Sequence, residues 1–257
     1  MKTFVVRAPG GLDRLEIGER PDPGEPGPGQ IRVALHATSL NYHDLLVANG
    51  TIPAADGRVL MSDGAGVVEA VGQGVTEFRA GDAVVSCFFP QWADGAAGDA
   101  VGSFAATPGD GIDGFATQYA VRPATAFTRA PRGWSPAEAA TITTAGLTAW
   151  RALVGDGRLK AGDTVLTLGT GGVSIAALQI AKMTGASVIV TSSSDEKLER
   201  ARALGADHGI NYRRHPQWSQ QVLDLTGGLG VHHVSNSGGR APCPSPSSRS
   251  ASADTSP

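Results

Sequence analysis

The residues best placed to do chemistry lie between Thr164 and Lys182, TVLTLGTGGVSIAALQIAK. An apolar, β-branched run from Thr164 to Leu168 breaks at Gly169, Thr170, Gly171 and Gly172, then resumes with helical spacing at Val173, Ala176, Ala177 and Ile180. A strand, a glycine turn and a helix in that order form the entry to a dinucleotide-binding βαβ unit. The glycines let the backbone approach a pyrophosphate, and the helix N-terminus presents free N–H groups and partial positive charge to that anion. Ser174 stands where the third glycine of the fingerprint would fall, and it is small enough for close helix–strand packing. An ordinary strand–helix turn is the competing reading of the motif alone.

The surrounding sequence supplies the context that the motif requires. Ser187 to Thr191 reads as a second strand, Asp195 to Ala203 as a second helix and His208 to Asn211 as a further short strand. An NAD site usually carries an acidic residue at the end of the second strand, where it binds the ribose 2′-hydroxyl. Here Ser192, Ser193 and Ser194 occupy that place, with Lys197 one turn into the helix. Hydroxyls and an ammonium suit a 2′-phosphate, so NADP(H) is preferred over NAD(H). Ser193, Ser194, Asp195 and Glu196 also read as a capping box, and Asp195 would serve as the acid if the strand ended later.

These elements need a frame, and the 257 residues suffice for one large or two modest domains, with 41% hydrophobic residues to build a core. Residues 1–125 read as a β-rich lobe, with strands at Thr3–Val6, Ile31–Thr38, Gly66–Val71, Ala83–Ser86 and Ala116–Val121. Tyr42–Ala48 reads as a short helix, and residues 90–114, rich in Gly, Ala and Asp, as a long surface loop. Ser135, Pro136 and Glu138 form a capping box with proline at the first helical position, and a longer helix covers Thr144–Val154. The fold class is therefore α/β: a β-rich lobe, then a doubly wound parallel sheet over residues 126–234, with a ligand expected in the cleft between them.

Several function classes drop out. A net charge of −3 gives no basic field for nucleic acid or an anionic membrane. The N-terminus lacks the apolar segment of a signal peptide, and no run is long and apolar enough to span a bilayer, so a cytoplasmic protein with a small-molecule substrate is expected. Neither a G-x-S-x-G elbow nor a phosphate-binding G-x-x-x-x-G-K motif is present. The two cysteines, Cys87 and Cys243, cannot form a disulfide framework or a zinc cluster. The histidines are scattered, and His232 and His233, adjacent on a strand, would point to opposite faces.

Read together, Ser39 to Leu46 (SLNYHDLL), Ser62 to Gly72 (SDGAGVVEAVG), Gly81 to Val85, Ala145 to Trp150, Gly169 to Ser174, Ser192 to Lys197 and Leu204 to Tyr212 resemble the medium-chain dehydrogenase/reductase superfamily, in its zinc-independent, quinone-oxidoreductase-like branch. They occur in family order and cover nearly all of residues 1–234. The resemblance implies a GroES-like lobe followed by a Rossmann lobe, and NAD(P)H-dependent hydride transfer to or from a small carbonyl, enone or quinone. The zinc-dependent branch places a Cys where Asn41 stands, a His in the segment holding Ser62 and Asp63, and a Cys near Thr143, so catalytic zinc is not expected. The resemblance puts Asn41, Tyr42 and Asp44 at the substrate cleft, Thr148 beside the nicotinamide and Tyr212 near the adenosine 2′ side. Asn41 reads equally as a helix N-cap, and Thr148 as a packing residue.

Residues 235–257 (SNSGGRAPCPSPSSRSASADTSP) have no periodicity and no large apolar side chain, a disordered composition. About four strands precede them, where a doubly wound nucleotide domain normally has six. A frameshift just after Val234 is expected: codons can be chosen for Arg240 to Pro257 so that the adjacent frame reads AGTLPQSLVAVRVGGHIA. A natural truncation with a flexible tail is the alternative. Either way the Rossmann sheet is incomplete, and low stability with weak or absent activity is expected. The family often dimerises through the nucleotide lobe, so a homodimer is implied only for a complete chain. A non-catalytic nucleotide-binding protein or an inactive fragment are the rival readings.

Overall fold

The computed structural model describes residues 1–236 apart from 97, 100, 102 and 103, so most of the compositionally distinct tail, including Cys243, lies outside the described residues. The chain divides into two compact units, Met1–Thr144 and Ala145–Pro257.

In the first unit, β1 (Lys2–Val6) pairs antiparallel with β2 (Leu15–Glu19) from Lys2↔Glu19 to Val6↔Leu15, and on its other side with β4 (Arg58–Val59). A second, five-stranded antiparallel sheet is built from β3 (Gln30–Ala37), β5 (Ala65–Val71), β6 (Ala83–Ser86), β7 (Tyr119–Pro123) and β8 (Phe127–Arg129), in the order β7-β3-β5-β6-β8. Its core follows from period-two alternation: Ile31 and Val33 on β3, Val68 on β5 and Val84 on β6 turn inward against Phe115 and Phe127. Gly66 lets β5 approach β3 closely, because a Cβ there would stand 2.0 Å from the Ala34 carbonyl oxygen. The short helix α1 (Tyr42–Ala48) leaves the end of β3, and α2 (Pro136–Ala139) begins at a capping box in which the Ser135 N–H donates to Glu138 Oε2 (2.8 Å).

Three strands go beyond the sequence expectation. β2, β4 and β8 are short and lack a sustained apolar alternation, and they pair with the free edges of β1 and β6. The expected strand at Ala116–Val121 starts only at Tyr119; Thr117 forms an isolated bridge to Thr3. The segment expected to be a surface loop contains a tight, internally bonded turn between Phe104 and Ile112 and leads to Phe115, which is buried.

The second unit holds β9 (Thr164–Leu168), β10 (Ser187–Ser192), β11 (His208–Asn211) and β12 (His233–Ser235), all parallel and ordered β11-β10-β9-β12. Helix α3 (Ala145–Trp150) runs into a π turn, Arg151–Gly155, and α4 (Gly172–Thr184), α5 (Asp195–Ala203) and α6 (Trp218–Leu225) alternate with the strands. Both sheet faces are covered. Val165, Val188 and Val190 pack with Leu178, Ala181 and Leu198 on one side, and Leu166, Ile189 and Ile210 with Val222 on the other. Helix α4 ends in a Schellman pattern at Gly185 (φ 85°), with Ala186 N–H on Ala181 O and Gly185 N–H on Lys182 O.

Asp163 ties the lower ends of these strands together. Its carboxylate, 3% exposed, pairs with the Lys160 ammonium, accepts the Lys160 N–H (3.0 Å) and faces His233 Nε2 at 3.1 Å, while its carbonyl accepts the Ser187 N–H. His232 accepts the Thr164 N–H at Nδ1 (2.9 Å), and its Nε2 lies 3.9 Å from Asp163 Oδ1. Burial alone would raise the Asp163 pKa, but Lys160 and His233 hold it well below the ordinary carboxylate range. A depressed folded value means that the contribution is complete above the unfolded pKa of about 3.9 and is lost as pH falls below it. Asp163→Asn is expected to cost about 2 kcal/mol at pH 7 and to shrink the stability difference between pH 7 and pH 3, followed by urea unfolding and tryptophan fluorescence. An unchanged acid dependence would contradict this assignment.

Candidate functional site

In the first unit the chain turns sharply at Met61, whose φ of 74° is unusual for a residue with a side chain. The turn delivers Ser62 and Asp63 beneath the start of α1. Asp44, buried in the first turn of that helix, accepts the Asn41 N–H at Oδ2 (2.8 Å) and the Ser62 N–H at Oδ1 (2.9 Å). The Asn41 side-chain Nδ2 donates to Asp63 Oδ2 (2.8 Å) and to Ser62 Oγ (3.3 Å). Asp63, 0% exposed, also accepts Ser39 Oγ–H (2.7 Å) on Oδ2 and Thr144 Oγ1–H (2.6 Å) on Oδ1. No cation pairs with it among the described residues. Burial pushes the Asp63 pKa up, the three hydrogen bonds pull it back, and nearby Asp44 adds to the rise.

Asn41 and Asp44 thus belong to one hydrogen-bonded knot. Tyr42, between them in sequence, is 72% exposed and outside it. Thr148 lies in the second unit, on the exposed side of α3. Cys87 is a free thiol whose pKa burial raises, which does not suit a nucleophile. Among the described residues no group of three or more His, Cys, Asp or Glu side chains is placed to hold a metal ion. Sequence reasoning did not single out Asp63, because its partners come from Ser39, Asn41 and Thr144, which only the fold assembles.

In the second unit the residues expected to hold the nucleotide gather at the C-terminal ends of β9, β10 and β11. Gly169 turns with φ 93°, and its N–H donates to the Thr191 carbonyl oxygen (3.1 Å). Thr170, Gly171, Gly172 and Val173 then lead into α4, whose N-cap, Gly171, supplies no side-chain acceptor, so the first N–H groups of the helix are left for another ligand. A Cβ at Gly169 or Gly171 would meet nothing within 4 Å, which leaves open space over the turn. Ser174 is buried, and its hydroxyl donates to Leu168 O (3.4 Å), so the small residue in place of glycine packs against the strand. These features fit the pyrophosphate of a dinucleotide.

At the end of β10, Ser192 is buried and accepts the Ser194 N–H, Ser193 is half-buried, and Ser194 caps α5 by accepting the Lys197 N–H. The Lys197 side chain is exposed and forms no ion pair among the described residues. Asp195, the carboxylate that could have read a ribose hydroxyl, is engaged by Asn211 Nδ2 (2.7 Å) and Arg214 (2.5 Å). Tyr212 follows β11, with its N–H on the Ser192 carbonyl oxygen (3.1 Å). A groove of about 680 Å³ lies to the side, between α5, β11 and α6, away from the glycine turn.

Comparison with known proteins places this geometry. Residues 27–132 match the alcohol dehydrogenase GroES-like domain, and residues 172–252 match the family described as zinc-binding dehydrogenase. A zinc-type alcohol dehydrogenase-like protein of Schizosaccharomyces pombe is 45% identical over 238 residues, covering 91% of this chain and 68% of that protein. A solved structure of a putative alcohol dehydrogenase from Sinorhizobium meliloti 1021 superposes with a TM-score of 0.82 at 45% identity, over 91% of this chain and 68% of that one. A quinone oxidoreductase of Pseudomonas syringae pv. Tomato DC3000 gives 0.74 at 33% identity, over 91% and 65%. The chain spans about two thirds of the length of these relatives.

The knot around Asp63 generates a direct test. Asp63→Ala leaves three donors facing a void, and is expected to cost about 3 kcal/mol in urea unfolding. A loss below about 0.5 kcal/mol would show that the carboxylate is not what holds these segments.

Proposed function

The chain belongs to the medium-chain dehydrogenase/reductase superfamily, whose members are dehydrogenases and oxidoreductases using nicotinamide cofactors, and from that premise we propose a zinc-independent oxidoreductase that prefers NADP(H) and acts on a small carbonyl, enone or quinone. The observation that carries the reading is the nucleotide end of the second unit: an open glycine turn, serines at the end of β10, a Lys197 with no ion pair among the described residues, and an Asp195 carboxylate already engaged by Asn211 and Arg214. The preference follows because a 2′-phosphate gains charge-assisted bonds there, while a bare 2′-hydroxyl finds no free carboxylate.

The zinc-free reading is supported by donor chemistry. The segments where the zinc branch keeps ligands hold the Asn41 amide, the Ser62 hydroxyl, threonines and a single carboxylate, Asp63, whose oxygens already accept from Ser39, Asn41 and Thr144. That set does not fit Zn²⁺, which takes thiolate, imidazole or carboxylate.

When bound, the nicotinamide supplies or accepts hydride. The N–H groups at the start of α4, with Gly169, Thr170, Gly171, Gly172 and Val173, hold the pyrophosphate. Ser192, Ser193, Lys197 and Tyr212 hold the adenosine 2′ end. Tyr42 and Thr148 offer exposed hydroxyls to the substrate and the nicotinamide, and Asn41 and Asp44 fix the start of α1, from which Tyr42 projects. Turnover should be measured with NADPH and NADH against quinones, enones and aldehydes. Lys197→Ala is expected to raise KM for NADPH about tenfold while changing that for NADH less than twofold. Equal effects on both cofactors would contradict the 2′-phosphate assignment, and cofactor binding without turnover on any acceptor would favour a non-catalytic nucleotide-binding protein.

A further inference from the structure

The turn after β11 is built around Asn211. Its carbonyl oxygen accepts the N–H groups of Arg214 (3.1 Å) and His215 (2.9 Å), and its side-chain Oδ1 accepts the Arg213 N–H (3.0 Å). With Oδ1 so engaged, the amide has one orientation, and Nδ2 donates to Asp195 Oδ1 at the start of α5 (2.7 Å). The Asn211 side chain is also buried, so little else is open to it. The same turn brings Arg214 to the second oxygen of that carboxylate, with Nη2 at 2.5 Å from Oδ2. Asn211 stands level with Ser192 in the β10–β11 register, and the Tyr212 N–H is on Ser192 O, so the turn that carries Arg214 sits beside the serines at the end of β10.

Two acids, Asp195 and Glu196, lie in the first turn of α5, directly after those serines. Carboxylates suit the positive end of a helix, but they oppose any second anion brought to it. Each is tied to an arginine. Glu196 pairs with Arg200 one turn along the same helix (2.7 Å). Asp195 pairs with Arg214, which comes from a different element. The Arg214 side chain is 71% exposed, and an exposed pair of this kind contributes only about 0–1 kcal/mol to folding. Its consequence lies in the field it sets at the end of α5.

We infer that Arg214 is a specificity-determining residue for the cofactor: by holding and neutralising Asp195, it lets the start of α5 receive a 2′-phosphate. This rests on the NADP(H) reading above and names the device that sets the preference. Without Arg214, Asp195 keeps its bond to Asn211 but presents its second oxygen with full charge. That oxygen repels a phosphate and is an acceptor for a ribose hydroxyl, so the preference turns toward the unphosphorylated ribose. Arg214 acts through Asp195, so its effect disappears when Asp195 does.

The test is calorimetric binding of adenosine 2′,5′-bisphosphate and adenosine 5′-phosphate to the full chain at one ionic strength. The two probes differ only in the 2′-phosphate, and no turnover is needed. Arg214→Ala is expected to weaken the bisphosphate about tenfold and adenosine 5′-phosphate less than about twofold. Adding Asp195→Ala to Arg214→Ala is expected to bring bisphosphate affinity back to within about threefold of the wild type. That rescue separates an effect through Asp195 from a direct bond between Arg214 and the phosphate. Arg214→Lys keeps the positive charge and is expected to retain most of the wild-type ratio of affinities, which a loss of folding would not. If Arg214→Ala leaves that ratio unchanged, or Asp195→Ala does not restore it, the inference is overturned while the NADP(H) preference stands. If the wild type binds both probes equally but Arg214→Ala still weakens only the bisphosphate, the proposed preference fails and the role of Arg214 is supported. If neither probe binds, or neither responds to any variant, both are overturned.

Discussion

Asp63 is a carboxyl removed from water with no cation paired to it among the described residues, and three segments of the first unit converge to make that state tolerable. Ser39 follows β3, Asn41 opens α1 and Thr144 closes the unit, and each aims a neutral donor at the same side chain. An ion so placed would be prohibitively costly without such donors. The donors in turn have their directions fixed by it, which sets the start of α1 and so the places of Tyr42 and His43. The strained backbone at Met61 is part of the same arrangement, since it brings the Ser62 N–H to Asp44 and Asp63 to Asn41. A single buried carboxyl thereby organises the start of α1.

In the proposed reading the second unit solves a different problem, that of receiving anions. Parallel strands end together, and the turn after β9 and the cap of α5 lie side by side because Gly169 bonds to Thr191 on the neighbouring strand. The glycine turn leaves backbone donors uncovered at one end, while serines and Lys197 occupy the other. Asp195 illustrates how context decides charge: it stands one residue after the serine cap, but Asn211 and Arg214 draw its carboxylate toward β11. In the proposed reading, selectivity for a 2′-phosphate depends on the engagement of Asp195 as much as on the presence of Lys197.

Much of this was legible in the sequence wherever the signal was local. Tyr42–Ala48, Ala83–Ser86, Thr164–Leu168, Asp195–Ala203 and His208–Asn211 have the same bounds in the structure as in the sequence reading, because caps, glycine turns and apolar runs mark their ends. Helix α6 was missed although Trp218, Val222 and Leu225 recur at helical spacing. The strands β2, β4 and β8 left no such mark, since pairing with a distant strand creates them. The site was less legible than the fold for the same reason. Asn41 reads from sequence as a cap or a substrate contact, and its bond to Asp63 appears only when β5 is laid beside β3. The pairing of Arg214 with Asp195 likewise depends on the turn that Asn211 closes after β11.

The central claim, a nucleotide site that takes NADP(H) without zinc, is tested most directly by equilibrium binding to the chelator-treated chain, followed through nicotinamide fluorescence. The account predicts saturable NADPH binding, about tenfold tighter than NADH, that added zinc does not change. Absence of binding, tighter binding of NADH, or binding that appears only with zinc would contradict it.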